Sequence, residues 1–172
     1  MIDTRLKQID LILLDVDGVL TTGQVIYNDS GQETKVFHVR DGLGIRMLIE
    51  AGLTVGIVTG RRSMALVHRC RNLGIDLLKD GIRDKAAALE EILKETGVAA
   101  SATAFVGDDL PDLPIMRRVG VPIAVGDAHD RVKQAAMMTT RAMGGCGAVR
   151  EISERILQAR GDWEPMIKRL FS

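Results

Sequence analysis

Aromatic side chains are nearly missing from this chain: one Trp, one Tyr and three Phe among 172 residues. A surface that stacks nucleic-acid bases needs several such rings, so that class of partner is excluded. Cysteine is equally scarce. Cys70 and Cys146 stand at no metal-ligand or redox spacing and are expected as small, reduced core residues of a cytosolic protein. Neither sign of charge is in excess: 23 Lys plus Arg face 23 Asp plus Glu, which leaves no global field to recruit nucleic acid or a membrane. No apolar run approaches the length of about 20 residues that spans a bilayer. The first residues, Met1-Ile-Asp-Thr-Arg-Leu-Lys7, lack the apolar stretch of a signal peptide. There is no internal repeat and no low-complexity linker. What remains is 46% hydrophobic and 27% charged, the composition of one globular domain over residues 1–172, large enough to bury a core.

Hydrophobic periodicity alternates along the chain. Short apolar runs without polar alternation read as strands buried on both faces at 9–16, 53–58, 75–78, 103–106 and 122–125. Between and after them, helical spacing predicts helices over 41–51, 63–73, 84–96, 112–119, 130–137 and 148–160. Gly52, Gly74 and Gly97 are the stops of the first three, and Ser63 is a candidate N-cap. The helix at 84–96 is the clearest, with Ala86, Leu89, Ile92 and Leu93 on one face. Residues 24–38 read as a β-hairpin around the turn cluster Asn28-Asp-Ser-Gly31. The tail, 161–172, shows no clear period. Strands alternating with helices imply an α/β, doubly wound parallel sheet covered on both faces.

The first strand ends in Asp15-Val-Asp17-Gly18. Ligands of open parallel sheets collect outside the carboxyl ends of the strands. Two carboxylates there, with Gly18 freeing the backbone after them, offer a nucleophile and a neighbouring acid or base. The same residues are also those of an ordinary Asx turn, and the stretch alone leaves both readings open.

Three further fragments bear on that choice: Val58-Thr59-Gly60-Arg61, Asp84-Lys85 and Gly107-Asp108-Asp109-Leu110-Pro111-Asp112. Singly, each has an ordinary reading as a strand-end cap, a solvated first-turn lysine or a turn. In this order the chain resembles the haloacid-dehalogenase-like (HAD) phosphatases, which carry DxD after the first strand, Thr or Ser after the second, a Lys further on and a GDD-type run after a later strand. The segments 37–45, 107–114 and 144–151 extend the resemblance over nearly the whole chain, to a branch that acts on small phosphorylated sugar acids. The resemblance implies a HAD-like Rossmannoid fold with a protruding hairpin. No cap domain fits, because the first cap slot holds only that hairpin and the second only about six residues, 79–84. In the capless subgroup neighbouring subunits cover the site. A homotetramer is therefore implied, with hairpins pooled at its centre to bury Val25, Tyr27, Val36 and Phe37. The tail, with Trp163, Pro165, Met166 and Phe171, is read either as folded over a neighbour's site or as a disordered terminus.

Five carboxylates, Asp15, Asp17, Asp108, Asp109 and Asp112, would converge at neighbouring strand ends. Two carboxylates about 4 Å apart repel by roughly 4 kcal/mol at an effective dielectric of about 20, so the cluster calls for a cation. An all-oxygen donor set favours Mg²⁺. The resemblance assigns the metal to the Asp15 carboxylate, the Asp17 backbone carbonyl and the Asp108 carboxylate. Asp109 and Asp112 would lie outside these ligands or support Lys85. It further implies Asp15 as nucleophile, Asp17 as acid and base, and Thr59 and Lys85 as phosphate-binding groups. Substrate contacts fall on Asp17, His38, Val39, Arg40, Asp41, Gly42, Arg46, Thr59, Gly60, Arg61, Arg69 and Lys85. His38 departs from the family pattern, which often has Asn there, and is alternatively a satisfied hairpin histidine. The implied reaction is hydrolysis of an eight-carbon sugar-acid 8-phosphate in lipopolysaccharide precursor biosynthesis. A nine-carbon 9-phosphate, of the sialic-acid type, is the rival substrate. A non-enzymatic HAD-like oligomerisation module is the rival class, disfavoured because Asp15, Asp17, Thr59, Lys85 and Asp108 are all present.

Overall fold

A computed structural model describes residues 2–170. A short helix α1 (Ile2–Leu6) leads into β1 (Leu11–Leu14), whose four apolar residues are all fully buried. The hairpin β2 (Ile26–Tyr27) and β3 (Glu33–Thr34) follows, then α2 (Val39–Glu50) and β4 (Thr54–Val58). Next come α3 (Met64–Leu73), β5 (Leu77–Lys79), α4 (Lys85–Thr96) and β6 (Thr103–Gly107). A 3₁₀ turn (Leu110–Asp112) runs into α5 (Leu113–Met116). The chain closes with β7 (Val121–Ala124), α6 (Asp130–Ala135), β8 (Met138–Thr139), α7 (Ala148–Arg160) and α8 (Trp163–Leu170).

The six-stranded sheet has the order β5-β4-β1-β6-β7-β8, and every pairing in it is parallel. β1, β4 and β5 step one way from the centre, and β6, β7 and β8 step the other. The order therefore reverses between β1 and β6, and a crevice opens there at the strand carboxyl ends. The usual right-handed crossover places α2 and α3 on one face and α4, α5 and α6 on the other, in keeping with the contacts of α2 with α3 and of α5 with α4 and α6. α7 returns to pack on α1, α2 and α8, while α4 and α6 pack on α5. The doubly wound α/β architecture expected from the pattern is the one observed.

Several elements differ from the sequence expectation. The first strand is four residues rather than 9–16, although Ile9 and Val16 are also fully buried. The hairpin stands at its expected place with two residues per strand. The helix expected at 112–119 is shorter: a 3₁₀ turn at Leu110–Asp112 runs into four α-helical residues, Leu113–Met116, with a proline in the first turn of each. The helix expected at 130–137 stops at Ala135, and Met138–Thr139 supplies an edge strand that the sequence reading lacked. Ser63 occupies the N-cap position of α3, but its side chain makes no capping hydrogen bond. Asp84 does cap α4, accepting from the backbone N–H groups of Ala86 and Ala87 at 3.0 Å each. Cys70 is buried as expected, whereas Cys146 is exposed. Phe37, expected to be poorly covered, packs against the core and carries the Arg69 guanidinium 5.7 Å from its ring centre.

The tail is a helix, not a structureless terminus. Met166 is 1% exposed and belongs to the core, and Trp163 faces the Arg150 guanidinium at 5.6 Å. Phe171 lies outside the described residues. Among the described residues no helix is long and apolar enough to cross a membrane.

If α8 is part of this core, Met166→Ala leaves a hole beneath it and costs about 2–5 kcal/mol. At this chain length each kcal/mol lowers Tm by about 2–4 °C. Calorimetry or urea unfolding checks this, and an unchanged Tm would contradict the packing of α8 on α7.

Candidate active site

Strand ends at the β1/β6 switch deliver Asp15 and Asp108, and the 3₁₀ turn after β6 delivers Asp112. Asp15 is the first residue past β1, and its N–H donates to the Val106 carbonyl of β6 at 3.0 Å. Asp108 is the first residue past β6. Gly18 has φ +90°, and a Cβ there would overlap the Asp108 carboxylate, so only glycine lets the two loops approach. Gly144 has a similar duty. A Cβ on it would overlap the Gly18 carbonyl oxygen, and the next N–H, of Gly145, donates to the Val19 carbonyl at 2.8 Å. The 144–151 segment is therefore the support of the Asp15–Gly18 loop.

One oxygen from each of Asp15, Asp108 and Asp112 lies within 4.8 Å of the others. Lys85, the first residue of α4, is 5% exposed and places its ammonium 3.0 Å from Asp15 Oδ1 and 2.5 Å from Asp112 Oδ1. Asp112 Oδ2 accepts from the backbone N–H groups of Asp108 at 2.9 Å and Asp109 at 3.3 Å. Asp108 Oδ1 is buried without a hydrogen-bond partner. Burial raises the Asp15 carboxyl to about 6, against the opposing pull of Lys85, with Asp112 adding to the rise. Burial, and then the charges of Asp15, Asp112 and Asp109, push Asp108 up to about 7. Burial disfavours the Lys85 charge, but the facing Asp15 and Asp112 outweigh it and hold its pKa above the ordinary value. One ammonium does not balance this many acids. The orphaned Asp108 oxygen and the all-oxygen donor set fit a hard divalent cation.

The cleft above these groups has a volume of about 380 Å³ and is lined further by Asp17, Thr59, Gly60, Arg61, Asp109 and Arg83. Arg83 is exposed and, among the described residues, pairs with no carboxylate. The hairpin reaches the cleft from the side. The Lys35 ammonium pairs with Asp17 Oδ1 and stands 2.9 Å from Glu33 Oε1. Burial works against its charge, and the hydrogen bonds to Asp17 and Glu33 outweigh that effect. Arg61 donates to Glu33 Oε2 at 2.6 Å and to the Tyr27 hydroxyl at 3.2 Å, and its Nε lies 3.6 Å from Asp17 Oδ2.

The expected site residues divide into two places. Asp15, Asp17, Thr59, Gly60, Arg61, Lys85, Asp108, Asp109 and Asp112 share the cleft. His38, Asp41, Gly42 and Arg69 line a separate small depression against Leu20, Phe37 and Leu73. Val39, Arg40 and Arg46 are exposed on α2. The Asp41 carboxylate turns inward and accepts from the N–H groups of Arg150 at 2.8 Å and Gly147 at 3.2 Å. That ties α2 to the start of α7. His38 Nδ1 is buried with no hydrogen bond, so it is not a satisfied hairpin histidine. Sequence reasoning did not single out Lys35, Glu33 or Arg83 for the site. For Arg83 the signal was present, two residues before Lys85. For Lys35 there was none, because its partner Asp17 is 18 residues away.

An aspartate at a sheet switch point, a second aspartate two residues on, a buried lysine and a metal-fitting acid group match the pattern of a hydrolase class. Residues 74–143 match the haloacid dehalogenase-like hydrolase family. The 3-deoxy-D-manno-octulosonate 8-phosphate phosphatase of Haemophilus influenzae is 45% identical over 157 residues, 91% of this chain and 87% of that protein. The enzyme of that name from Moraxella catarrhalis, solved with a magnesium ion, a phosphate ion and KDO, superposes with a TM-score of 0.96 at 40% identity. That match covers 98% of this chain and 97% of the other. A cobalt-bound Haemophilus influenzae structure matches with a TM-score of 0.90 at 45% identity, over 92% of this chain and 93% of that one. The chain belongs to the 3-deoxy-D-manno-octulosonate 8-phosphate phosphatase family.

The raised acids make a test that needs no turnover. Asp15 and Asp108 bind protons more tightly folded than unfolded. Their unfavourable contribution is complete above about pH 7 and fades as pH falls toward about 4. In chelator, Tm should therefore rise on acidification from about pH 8 to about pH 5.5. MgCl₂ should raise Tm more at the higher pH, and Asp108→Asn should shrink both effects. A Tm insensitive to MgCl₂ at either pH would refute the metal centre.

Proposed function

We propose that this chain hydrolyses 3-deoxy-D-manno-octulosonate 8-phosphate to the free sugar acid and phosphate, with Mg²⁺, as a cytoplasmic step toward lipopolysaccharide precursors. The observation that carries the reading is the convergence of Asp15, Asp108, Asp112 and Lys85 in one cleft, with Asp17 and Thr59 on its wall.

The Asp15 and Asp108 carboxylates and the Asp17 backbone carbonyl would hold the metal. Asp112 would support Lys85 and the Asp108–Asp109 backbone, to which its oxygens already bond, rather than the metal. Bound there, Mg²⁺ neutralises phosphoryl charge and lets an anionic nucleophile approach a dianion. Asp15 attacks phosphorus, and an aspartyl phosphate forms as the bond to the sugar oxygen breaks. Asp17 gives its proton to that oxygen, then takes one from the water that releases phosphate and restores Asp15. Thr59 and nearby N–H groups hold the phosphoryl oxygens, and Lys85 offsets charge on phosphate and carboxylates alike.

Recognition of the sugar acid then spans two copies. Arg61 stands in the cleft, while Arg46, Arg69 and the 38–42 segment stand away from it on the same chain. In a homotetramer a neighbour's α2 and α3 would bring the latter groups to this cleft. The supporting observation is the apolar exposure of the hairpin and the start of α2: Val25, Ile26, Tyr27, Val36 and Val39 are 44–82% exposed. A monomer rarely leaves such a contiguous apolar set in water.

Phosphate release from a panel of sugar phosphates with Mg²⁺ tests the activity. The eight-carbon 8-phosphate should be turned over fastest, and Asp15→Asn should abolish turnover while leaving the fold intact. Preference for a nine-carbon 9-phosphate would select the rival substrate, and no turnover of any monoester would select the non-enzymatic module. Light scattering tests assembly. The parent should have a tetramer mass, and Ile26→Glu with Val36→Glu should give smaller species with weakened activity. A fully active monomer would overturn the two-copy site.

A further inference from the structure

We propose that Lys35, on the hairpin, is a positioning residue that fixes one oxygen of Asp17 and reserves the other for proton transfer. The inference rests on the phosphatase reading above.

The two oxygens of Asp17 are unequal. Oδ1 accepts from Lys35 Nζ, while Oδ2 is buried with no hydrogen bond, the Arg61 Nε standing 3.6 Å away. The Lys35 side chain is 4% exposed although it lies on a surface hairpin. It is held there by two carboxylates, Asp17 and Glu33, and Glu33 is clamped in turn by Arg61. Tyr27, across the hairpin in β2, accepts from Arg61 through its hydroxyl, so the chain of contacts runs β2–Arg61–Glu33–Lys35–Asp17. Lys35, itself fixed by Glu33 and through it by Arg61, therefore holds the Asp17 carboxylate in one rotamer. An unrestrained Asp at a loop tip samples several rotamers and presents either oxygen. A general acid must meet its target at hydrogen-bond distance, and a misplacement of about 1 Å can cost about 100-fold.

With Oδ1 held, the reaction has one path. As Asp15 forms its bond to phosphorus, the bond from phosphorus to the sugar oxygen breaks and its electron pair stays on that oxygen. The proton comes from Asp17 Oδ2. In the second half Oδ2 takes a proton from water as the water oxygen bonds to phosphorus and the Asp15 oxygen leaves. Lys35 keeps its own protons throughout and touches no reacting atom.

The role predicts a dependence on the leaving group. A sugar alkoxide needs the proton, but a p-nitrophenolate leaves without one. In Lys35→Met, kcat for the sugar-acid phosphate should fall at least about tenfold, a share of the 10²–10⁴ that acid–base catalysis contributes, with KM within about threefold of the parent. With p-nitrophenyl phosphate in rapid mixing, the first burst of nitrophenolate should keep its rate. The steady phase, which needs Asp17 as base, should slow. Lys35→Arg should restore part of kcat, and Lys35→Gln serves where the Met variant fails to fold by circular dichroism. Equal losses in burst and steady phase, a rise in KM with kcat kept, or parent kinetics would each overturn the role of Lys35. A parent inert toward every monoester would overturn the phosphatase reading, and this inference with it, so the two failures are distinguishable.

Discussion

The structure turns on an electrostatic debt at the β1/β6 switch. Three carboxylates put oxygens within 4.8 Å of one another, and burial denies them water. Lys85 offsets part of that cost and dictates much of the local architecture. It must enter between Asp15 and Asp112, so α4 must begin at this point, and Asp84 caps the helix one residue before. Asp112 must face inward, and the 3₁₀ turn that carries it aims it there. The loops must approach within reach of one lysine, which is why glycine stands at 18 and 144. The residual charge, visible in the lifted Asp15 and Asp108 carboxyls, is what suits the cleft to a cation and a phosphate.

Legibility in the sequence followed the range of the interactions. The buried strands were readable because β1, β4 and β6 are uninterrupted apolar runs with glycine, threonine or aspartate at their ends. The strand-end residues Asp15, Thr59 and Asp108 were readable for the same reason, since each site group is fixed by its own strand. Elements set by tertiary contact were not. β8 is two residues with no apolar run, made a strand by β7. α8 is a different case: Trp163, Met166 and Ile167 stand at helical spacing, so its apolar face was present in the sequence, and its packing, with Met166 in the core and Trp163 facing Arg150, is what the structure adds. Cys146 was expected inside because cysteine usually is, yet it sits in a glycine-rich loop where the backbone, rather than the side chains, does the packing.

The hairpin shows how one element can be half read. Its exposed apolar residues suggested an assembly surface and hid its inner edge. Side chains of extended backbone alternate between faces. Glu33 and Lys35 therefore turn to the cleft, while Thr34 and Val36 turn to solvent. A lysine followed by a valine in a polar turn region has no signature of its own. Only the approach of Asp17, brought round by Gly18 from β1, gives Lys35 its buried pair.

This double-facing hairpin occupies the slot where a cap domain would otherwise be inserted, and that has a consequence for how the site is closed. A cap shields an active site by moving as a body. Here a two-stranded hairpin cannot be stable on its outer face alone. Its inner edge is pinned by the ion-paired set of Glu33, Lys35, Arg61 and Asp17, and its outer edge presents Ile26 and Val36. Burial of that outer edge by a neighbour would restrain the strand that carries Lys35. Assembly and orientation of the Asp17 carboxylate would then be linked through a single short element, so that loss of the apolar contact loosens the acid without touching any reacting group.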